Sequence, residues 1–203
     1  LITNRIETQN KIIEELKLLK NTIRYRLFKE ITREQKDFVH IKDILNYEQP
    51  TKYLVLTTNY SADNSLTPVL TANKSFVLGY TDEDFGIYDR GECILFDDFT
   101  LDMKFINFPF KVKSSAIKIL TPKPKINLKF IFEYLYFLGL SAKSHKRHYI
   151  SEIETIEIRF PSNNYQKYVT DFLSDIDLKI KNETEMHSLF IKQKQYLSAS
   201  LFI

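Results

Sequence analysis

Tryptophan is absent from the 203 residues, cysteine occurs once, and there are only four glycines, six prolines and two methionines. The lone Cys93 excludes an internal disulfide, which fits a chain kept in a reducing cytoplasm. No two glycines are separated by a single residue, so there is no glycine-rich cofactor loop. The same scarcity removes a phosphate-cradling loop, and neither ATP nor a nucleotide cofactor is expected to bind this chain. The four histidines, His40, His145, His148 and His187, are not spaced with Cys93 as a zinc site, and His145 and His148 read as polar groups of a loop. Long apolar runs are missing too. The richest, "FIFEYLYFLGL" from 130 to 140, contains Glu133 and falls well short of the roughly 20 residues a membrane span needs. Arg5, Glu7 and Lys11 interrupt the start, unlike a secretion signal, and the sequence does not open on methionine, as expected of a trimmed protein or a fragment.

What is present suffices for one core. Hydrophobic residues make up 43% and aromatic residues 14%, enough for a folded domain with room for an appendage. Lys plus Arg number 29 against 26 Asp plus Glu, and the resulting +3 is too weak to announce a nucleic-acid binder, so the placement of charge matters more than its sum.

From Leu1 to Phe28 only helical periodicity fits, with Ile2, Ile6, Gln9, Ile13, Leu16, Lys20, Ile23 and Leu27 at every third and fourth position. After "FPSNN" the device returns: Val169, Leu173, Ile176, Ile180, Glu183, His187, Phe190, Lys194, Leu197 and Leu201 share one face, with Asn163 or Asn164 available as N-cap. Sliding one helix by 174 positions lays Ile2 on Ile176, Ile6 on Ile180, Gln9 on Glu183, Leu16 on Phe190, Lys20 on Lys194 and Ile23 on Leu197. Shared register at polar as well as apolar positions marks an internal repeat. The seam residues Ile6, Ile13, Leu16, Ile23, Leu173, Ile176, Ile180, His187, Phe190 and Leu197 are expected to pair helices in coiled-coil fashion, with Glu183, His187 and Lys194 fixing register.

Between the helices lie short β-like runs: "YLVLTT" from 53, "PVLTA" from 68, "SFVLGY" from 75, "CILFDD" from 93, "KFINF" from 104 and "FKVKSSAIKIL" from 110. "TPKPK" from 121 breaks the pattern, Asn127 can cap a buried helix through Leu140, and alternating "TIEIRF" follows a basic loop. The expected architecture is α+β: one mixed, β-rich domain over 29–163, carried between a helix at 1–28 and a long helix at 164–203.

Two enzyme motifs are approached and missed. Asp97 or Asp98 with "DMK" (Asp102 to Lys104) imitates a metal-dependent nuclease core, in which carboxylates hold the cation and lysine steadies the attacking water. Only a hairpin turn separates these acids, however, whereas such a site takes them from a pair of strands. "NFPF" at 107–110 resembles the loop with which adenine methyltransferases grip a flipped base, but Phe108 stands where the first proline belongs. What remains is lysine and hydroxyl suited to phosphates and base edges: Lys52, Tyr53, Thr71, Lys74, Thr100, Lys104, Lys111, Lys113, Ser114 and Ser115, with Lys143, Lys146 and Arg147 in a basic loop. Asp98 is either an acceptor for a cytosine or adenine amine or the group that closes its turn.

In this order the segments "YEQPTKYLV" (47–55), "TPVLTANKSFVLGYT" (67–81), "GIY" (86–88), "ILFDDFT" (94–100), "FPFKVKSSAIKIL" (108–120), "RHYISEIETIEIRFPS" (147–162) and "YQKYVTDFLSDIDLKI" (165–180) resemble one half of a specificity subunit of type I restriction-modification systems. The resemblance implies a single target-recognition domain flanked by the family's spacer helices. It further implies a non-catalytic subunit that reads one half of a bipartite target in double-stranded DNA and docks modification and restriction subunits. By the same resemblance the modification subunits use S-adenosylmethionine and the restriction subunit uses ATP and Mg²⁺, while this chain binds no cofactor. A second recognition half, or another copy of the chain as a homodimer, is expected to join through the helices. The family often shows Glu-Gln after the proline turn; here Tyr165 precedes Gln166, so docking to the modification subunit is expected to differ. The alternatives are a small Mg²⁺-dependent nuclease using Asp97, Asp98 and Lys104, and a coiled-coil adaptor that never meets DNA.

Overall fold

The computed structural model describes residues 1–72, 75–142 and 148–200. The chain divides into two units, one made of the terminal segments 1–34 and 162–203 and the other of residues 35–161.

The first unit is a pair of long helices, α1 (Ile2–Glu34) and α4 (Asn163–Ser200). Neither contains Gly or Pro, and α1 runs on past its expected end at residue 28 because nothing before Glu34 interrupts it. Gln9 donates to the backbone carbonyl of Glu183 at 3.1 Å and to its carboxylate, while Lys20 donates to both oxygens of Asp177 at 2.6 and 2.7 Å. Numbers rise along one helix as they fall along the other, so the two pack antiparallel. Gln9 and Glu183 are also the positions that the 174-residue shift superposes, and their meeting places the repeat's local twofold between them.

Ile13 and Leu173 are buried; Ile6, Leu16, Ile23, Ile176, Ile180, His187 and Phe190 are half-buried; Leu197 is 43% exposed. The apolar row expected to pair with another molecule is thus filled largely within one chain. The N-cap expected at Asn163 or Asn164 is instead Ser162, whose hydroxyl accepts from the Tyr165 amide at 3.4 Å and whose carbonyl accepts from the Gln166 amide at 3.0 Å. No described helix is long and apolar enough to cross a membrane.

The second unit is layered. A four-stranded antiparallel sheet has the order β2 (Leu45–Glu48), β8 (Ile117–Pro122), β5 (Cys93–Asp97), β6 (Met103–Ile106). A smaller sheet has the order β4 (Val77–Thr81), β3 (Thr67–Leu70), β7 (Lys111–Val112), with β3 and β7 parallel. A third pairing joins β1 (Phe38–His40) to β9 (Glu157–Arg159), and the single turn α2 (Ile41–Ile44) links β1 to β2. Alternation along the strands builds the core. Cys93, Leu95, Ile106, Ile117 and Ile119 from one sheet cluster with Leu70, Val112, Tyr53, Tyr88 and Phe110.

The opposite face of the larger sheet carries Ile94 and Phe96. Phe105 on that face meets Phe132 of α3 (Leu128–Leu138) with ring centroids 5.6 Å apart. Asn127 caps α3 by accepting from the Phe130 amide at 3.0 Å, and Gly139 ends it in the left-handed region at φ 60°. Two readings of the sequence need correction. "YLVLTT" is no strand: Pro50 starts a 3₁₀ turn through Tyr53, and only Leu54 bridges to β7. "FKVKSSAIKIL" is two strands, broken where Ser114 accepts from the Ala116 amide at 3.1 Å.

Candidate nucleic-acid interface

Topology gathers several of the candidates at one end of the two sheets. The parallel register pairs Leu70 with Val112, which brings Thr71 beside Lys113, and the Lys113 amide donates to the Leu70 carbonyl at 3.2 Å. The turn from Lys113 to Ala116 leads into β8, and the Asp98 amide donates to the Ala116 carbonyl at 3.0 Å. The β5–β6 turn, with Thr100, therefore lies beside Lys113, Ser114 and Ser115. Lys113, Ser115 and Thr100 are exposed there, Ser114 is half-buried, and Thr71 is only 7% exposed.

That turn is held by its own side chains. Asp97 Oδ1 accepts from the amides of Phe99 and Thr100 at 2.9 and 3.0 Å, while the Thr100 hydroxyl donates to Asp102 at 3.1 Å. Leu101 takes a left-handed φ of 62° to close the turn. The arrangement is an Asx-type turn and not a cation site. Among the described residues no three His, Cys, Asp or Glu side chains converge so as to hold a metal ion.

Asp98 corrects the expectation that it offers an acceptor to a base edge. It is 2% exposed, and its Oδ1 accepts from the amides of His148 and Tyr149 at 3.0 and 2.7 Å. Its Oδ2 lies 3.5 Å from Nζ of Lys118, itself buried and 5.6 Å from the Tyr47 ring centroid. Both carboxylate oxygens are committed inside the domain. The consequence is positional: His148 and Tyr149 open the single π-helical turn Tyr149–Ile153, and Asp98 fixes that turn to the end of the sheet. Burial pushes the Tyr149 hydroxyl far up in pKa, with the nearby Glu154, Tyr47 and Asp98 adding to it.

Lys111 is the second correction. Its side chain is fully buried, with Nζ 2.7 Å from Glu83 Oε2, 2.7 Å from the Phe85 carbonyl and 4.2 Å from the Phe85 ring centroid. Glu83 Oε1 accepts from the amides of Leu56 and Thr57 at 3.0 and 3.3 Å. One ion pair thus ties the loops around residues 56 and 85 to β7. The Lys111 hydrogen bond is the largest influence holding the Glu83 carboxyl below its ordinary range. Gly86, at φ 57°, presses against the Lys52 carbonyl where a Cβ would collide, which locks the same loops together.

Lys52 is exposed and Tyr53 is 8% exposed. The Tyr53 hydroxyl donates to Glu48 at 3.3 Å, and Lys52 stands 3.7 Å from the same carboxylate. Arg90 also bonds Glu48 and lies over the rings of Tyr88 and Tyr53, 5.0 and 5.7 Å from their centroids. Burial opposes ionisation of Glu48, but the Arg90 hydrogen bond and charge, with Tyr53 and Lys52, hold its carboxyl below the ordinary range. Sequence reasoning misses Arg90, Glu48, Glu83 and Lys118. Arg90 and Glu48 are 42 positions apart, and no local spacing announces their pairing. Lys104 is half-buried on the edge strand β6, opposite Leu95, and does not join Asp97 and Asp98 in a nuclease-like cluster. Lys74, Lys143, Lys146 and Arg147 lie outside the described residues. Burial raises the Cys93 thiol to about 12, so it is unreactive in the folded domain.

Comparison with known proteins supports the resemblance read from the sequence. No protein-family model matches the chain. It is 42% identical over 131 residues to the Escherichia coli type I restriction enzyme EcoR124I/EcoR124II specificity subunit; the match takes in 62% of this chain and 32% of that protein. The chain therefore spans about a third of the curated relative. In structure it is similar to the S subunit of a type I restriction-modification system from M. genitalium, with a TM-score of 0.70 at 15% identity over 97% of this chain and 56% of the other. It is also similar to the HsdS subunit from Thermoanaerobacter tengcongensis, with a TM-score of 0.55 at 11% identity over 98% of this chain and 55% of that one. The fold is that of type I specificity subunits, over roughly half of such a subunit.

Proposed function

We propose that the chain is a non-catalytic DNA reader: one recognition half of a type I specificity subunit, contacting one part of a bipartite target in double-stranded DNA. The observation that carries this is the 42% identity to a type I specificity subunit, joined to a fold alignment that takes in 97% of the chain. The geometry fits the role. Thr100, Lys113 and Ser115 are presented on turns at one end of the sheets, and the buried pairs Asp98–Lys118 and Lys111–Glu83 hold those turns and loops from beneath. Exposed lysine and hydroxyl on a rigid frame suit phosphate positioning and groove contacts.

The antiparallel helix pair is the spacer in this reading. It sets the distance to a second recognition half, which is either another domain of a longer subunit or a second copy, and it docks the modification and restriction subunits. S-adenosylmethionine, ATP and Mg²⁺ belong to those partners, and the assembly works in the cytoplasm. The nuclease alternative finds no support in the geometry, because Asp97 and Asp98 are consumed by backbone amides.

Reconstitution tests the proposal. The chain, with a second recognition half, modification subunits and S-adenosylmethionine, is expected to direct adenine methylation of duplex DNA at a split site, and omitting the chain abolishes it. Mg²⁺-dependent cleavage by the purified chain alone, lost on Asp98→Ala, would overturn it.

A further inference from the structure

Among the described residues of the recognition domain, Arg90 is an exposed cation whose guanidinium is already oriented. It lies over the Tyr88 ring at 5.0 Å and the Tyr53 ring at 5.7 Å, and one of its nitrogens is held by Glu48. Its side chain is nevertheless 55% exposed. The rings beneath it are fixed: Tyr88 is fully buried, stacks on Phe110 at 4.9 Å, and exchanges backbone hydrogen bonds with Phe110 at 2.8 and 3.1 Å. Lys52 shares the same carboxylate at 3.7 Å with its own side chain 78% exposed. Two cations on one anion leave a local charge of +1, and the flat, stacked guanidinium has surrendered much of its freedom before any ligand arrives. A planar donor with an open edge beside a flexible ammonium matches a phosphodiester, which takes a fork from arginine and a point charge from lysine.

Resting on the reading of the chain as a DNA binder, we infer that Arg90 and Lys52 form a phosphate clamp on the target duplex, with Tyr53 and Tyr88 as its platform and Glu48 as an internal counter-ion that competes with the DNA. The clamp positions the recognition domain and does not read a base. Lys52 stands two positions before Leu54, whose bridge to Val112 joins this segment to β7 next to Lys113.

The test is duplex binding by the full chain as a function of salt, on its mapped target and on a scrambled duplex, for wild type, Arg90→Ala, Arg90→Lys and Glu48→Gln. Losing one phosphate contact lowers the log–log salt slope by about 0.9 and weakens binding about fivefold at 0.15 M salt, equally on both duplexes. Arg90→Lys is expected to keep the slope and lose part of the affinity. Glu48→Gln is expected to strengthen binding to both duplexes, an increase that a merely loop-closing role for Glu48 and Arg90 would not produce. Unchanged slope in Arg90→Ala, or weaker binding in Glu48→Gln with an unaltered thermal midpoint, overturns the clamp. A change confined to the mapped target overturns it too, in favour of a base contact. Absence of duplex binding by wild type refutes instead the reading of the chain as a DNA binder.

Discussion

Asp98→Ala is the most informative single change in the recognition domain. The substitution removes the partner of Lys118, a side chain 1% exposed, and the carboxylate acceptor of the Tyr149 amide, while the His148 amide keeps its second acceptor, the Asp98 backbone carbonyl at 3.1 Å. Leaving one member of a buried ion pair costs about 3–5 kcal/mol, and the orphaned Tyr149 amide, if water fails to reach it, adds about 1–3 kcal/mol. These contributions are not additive, because the freed chain relaxes, so a loss of about 4–5 kcal/mol is expected against a total of about 5–15 kcal/mol for a domain. Urea unfolding measures it: with a slope of roughly 2–3 kcal/mol/M the midpoint falls by about 1.3–2.5 M. Asp98→Asn keeps an acceptor for the amides but sets a neutral amide against Lys118. It is expected to remain strongly destabilising, whereas Asp98→Asn with Lys118→Met recovers much of the loss by removing the unpaired charge. Amide exchange at Tyr149 supplies a local readout, accelerating in Asp98→Ala beyond the change in global stability. If Asp98→Ala unfolds within 1 kcal/mol of wild type and leaves the Tyr149 amide protected, the anchoring role is refuted and an exposed, base-facing Asp98 returns as the better account.

Other consequences follow from the same geometry. Lys111→Met strands Glu83 and is expected to cost about 3–5 kcal/mol by urea unfolding, with Lys111→Met/Glu83→Gln milder than Lys111→Met alone. The Glu83 carboxyl is held below its ordinary 4.5, so its contribution is present above pH 4.5 and is lost as pH falls through the lowered folded value. A pH titration of stability is therefore expected to show an acid-side loss in wild type that shrinks in Lys111→Met. With a pKa of about 12 and full burial, Cys93 is expected to resist a maleimide at pH 8 in the native protein and to react once unfolded, as mass spectrometry would show.

Local signals and long-range pairings divided what the sequence could tell. The two long helices were legible because apolar residues recur every third and fourth position over many turns, and Asn127 marked the start of α3 through ordinary capping chemistry, although the helix ends at Leu138 on the left-handed Gly139 and not at the expected Leu140. The antiparallel pairing was half-visible: the 174-residue repeat matched Gln9 to Glu183, and these two residues meet, but periodicity alone did not say that the seam closes within one chain. Short elements escaped where the pattern was too brief. β2, "LNYE", alternates over only four residues, and the Pro50 turn resembled a strand because Tyr53, Leu54 and Val55 favour one. Site reasoning weighed Asp98 and Lys111 by chemistry without their burial. A charge that the fold buries is consumed by a partner distant in sequence, Lys118 or Glu83, that spacing does not reveal. Arg90 was missed for the converse reason, since its orientation comes from rings and a carboxylate brought together only by the fold.

The measurement that bears most directly on the claim that this chain is a DNA reader is the map of methylated adenines in DNA from cells carrying it together with its modification subunit. A split motif is expected that disappears when the chain is deleted, and one half of that motif is expected to change when residues 35–161 are exchanged for those of a relative. A methylation pattern indifferent to the deletion and to the exchange would contradict the account.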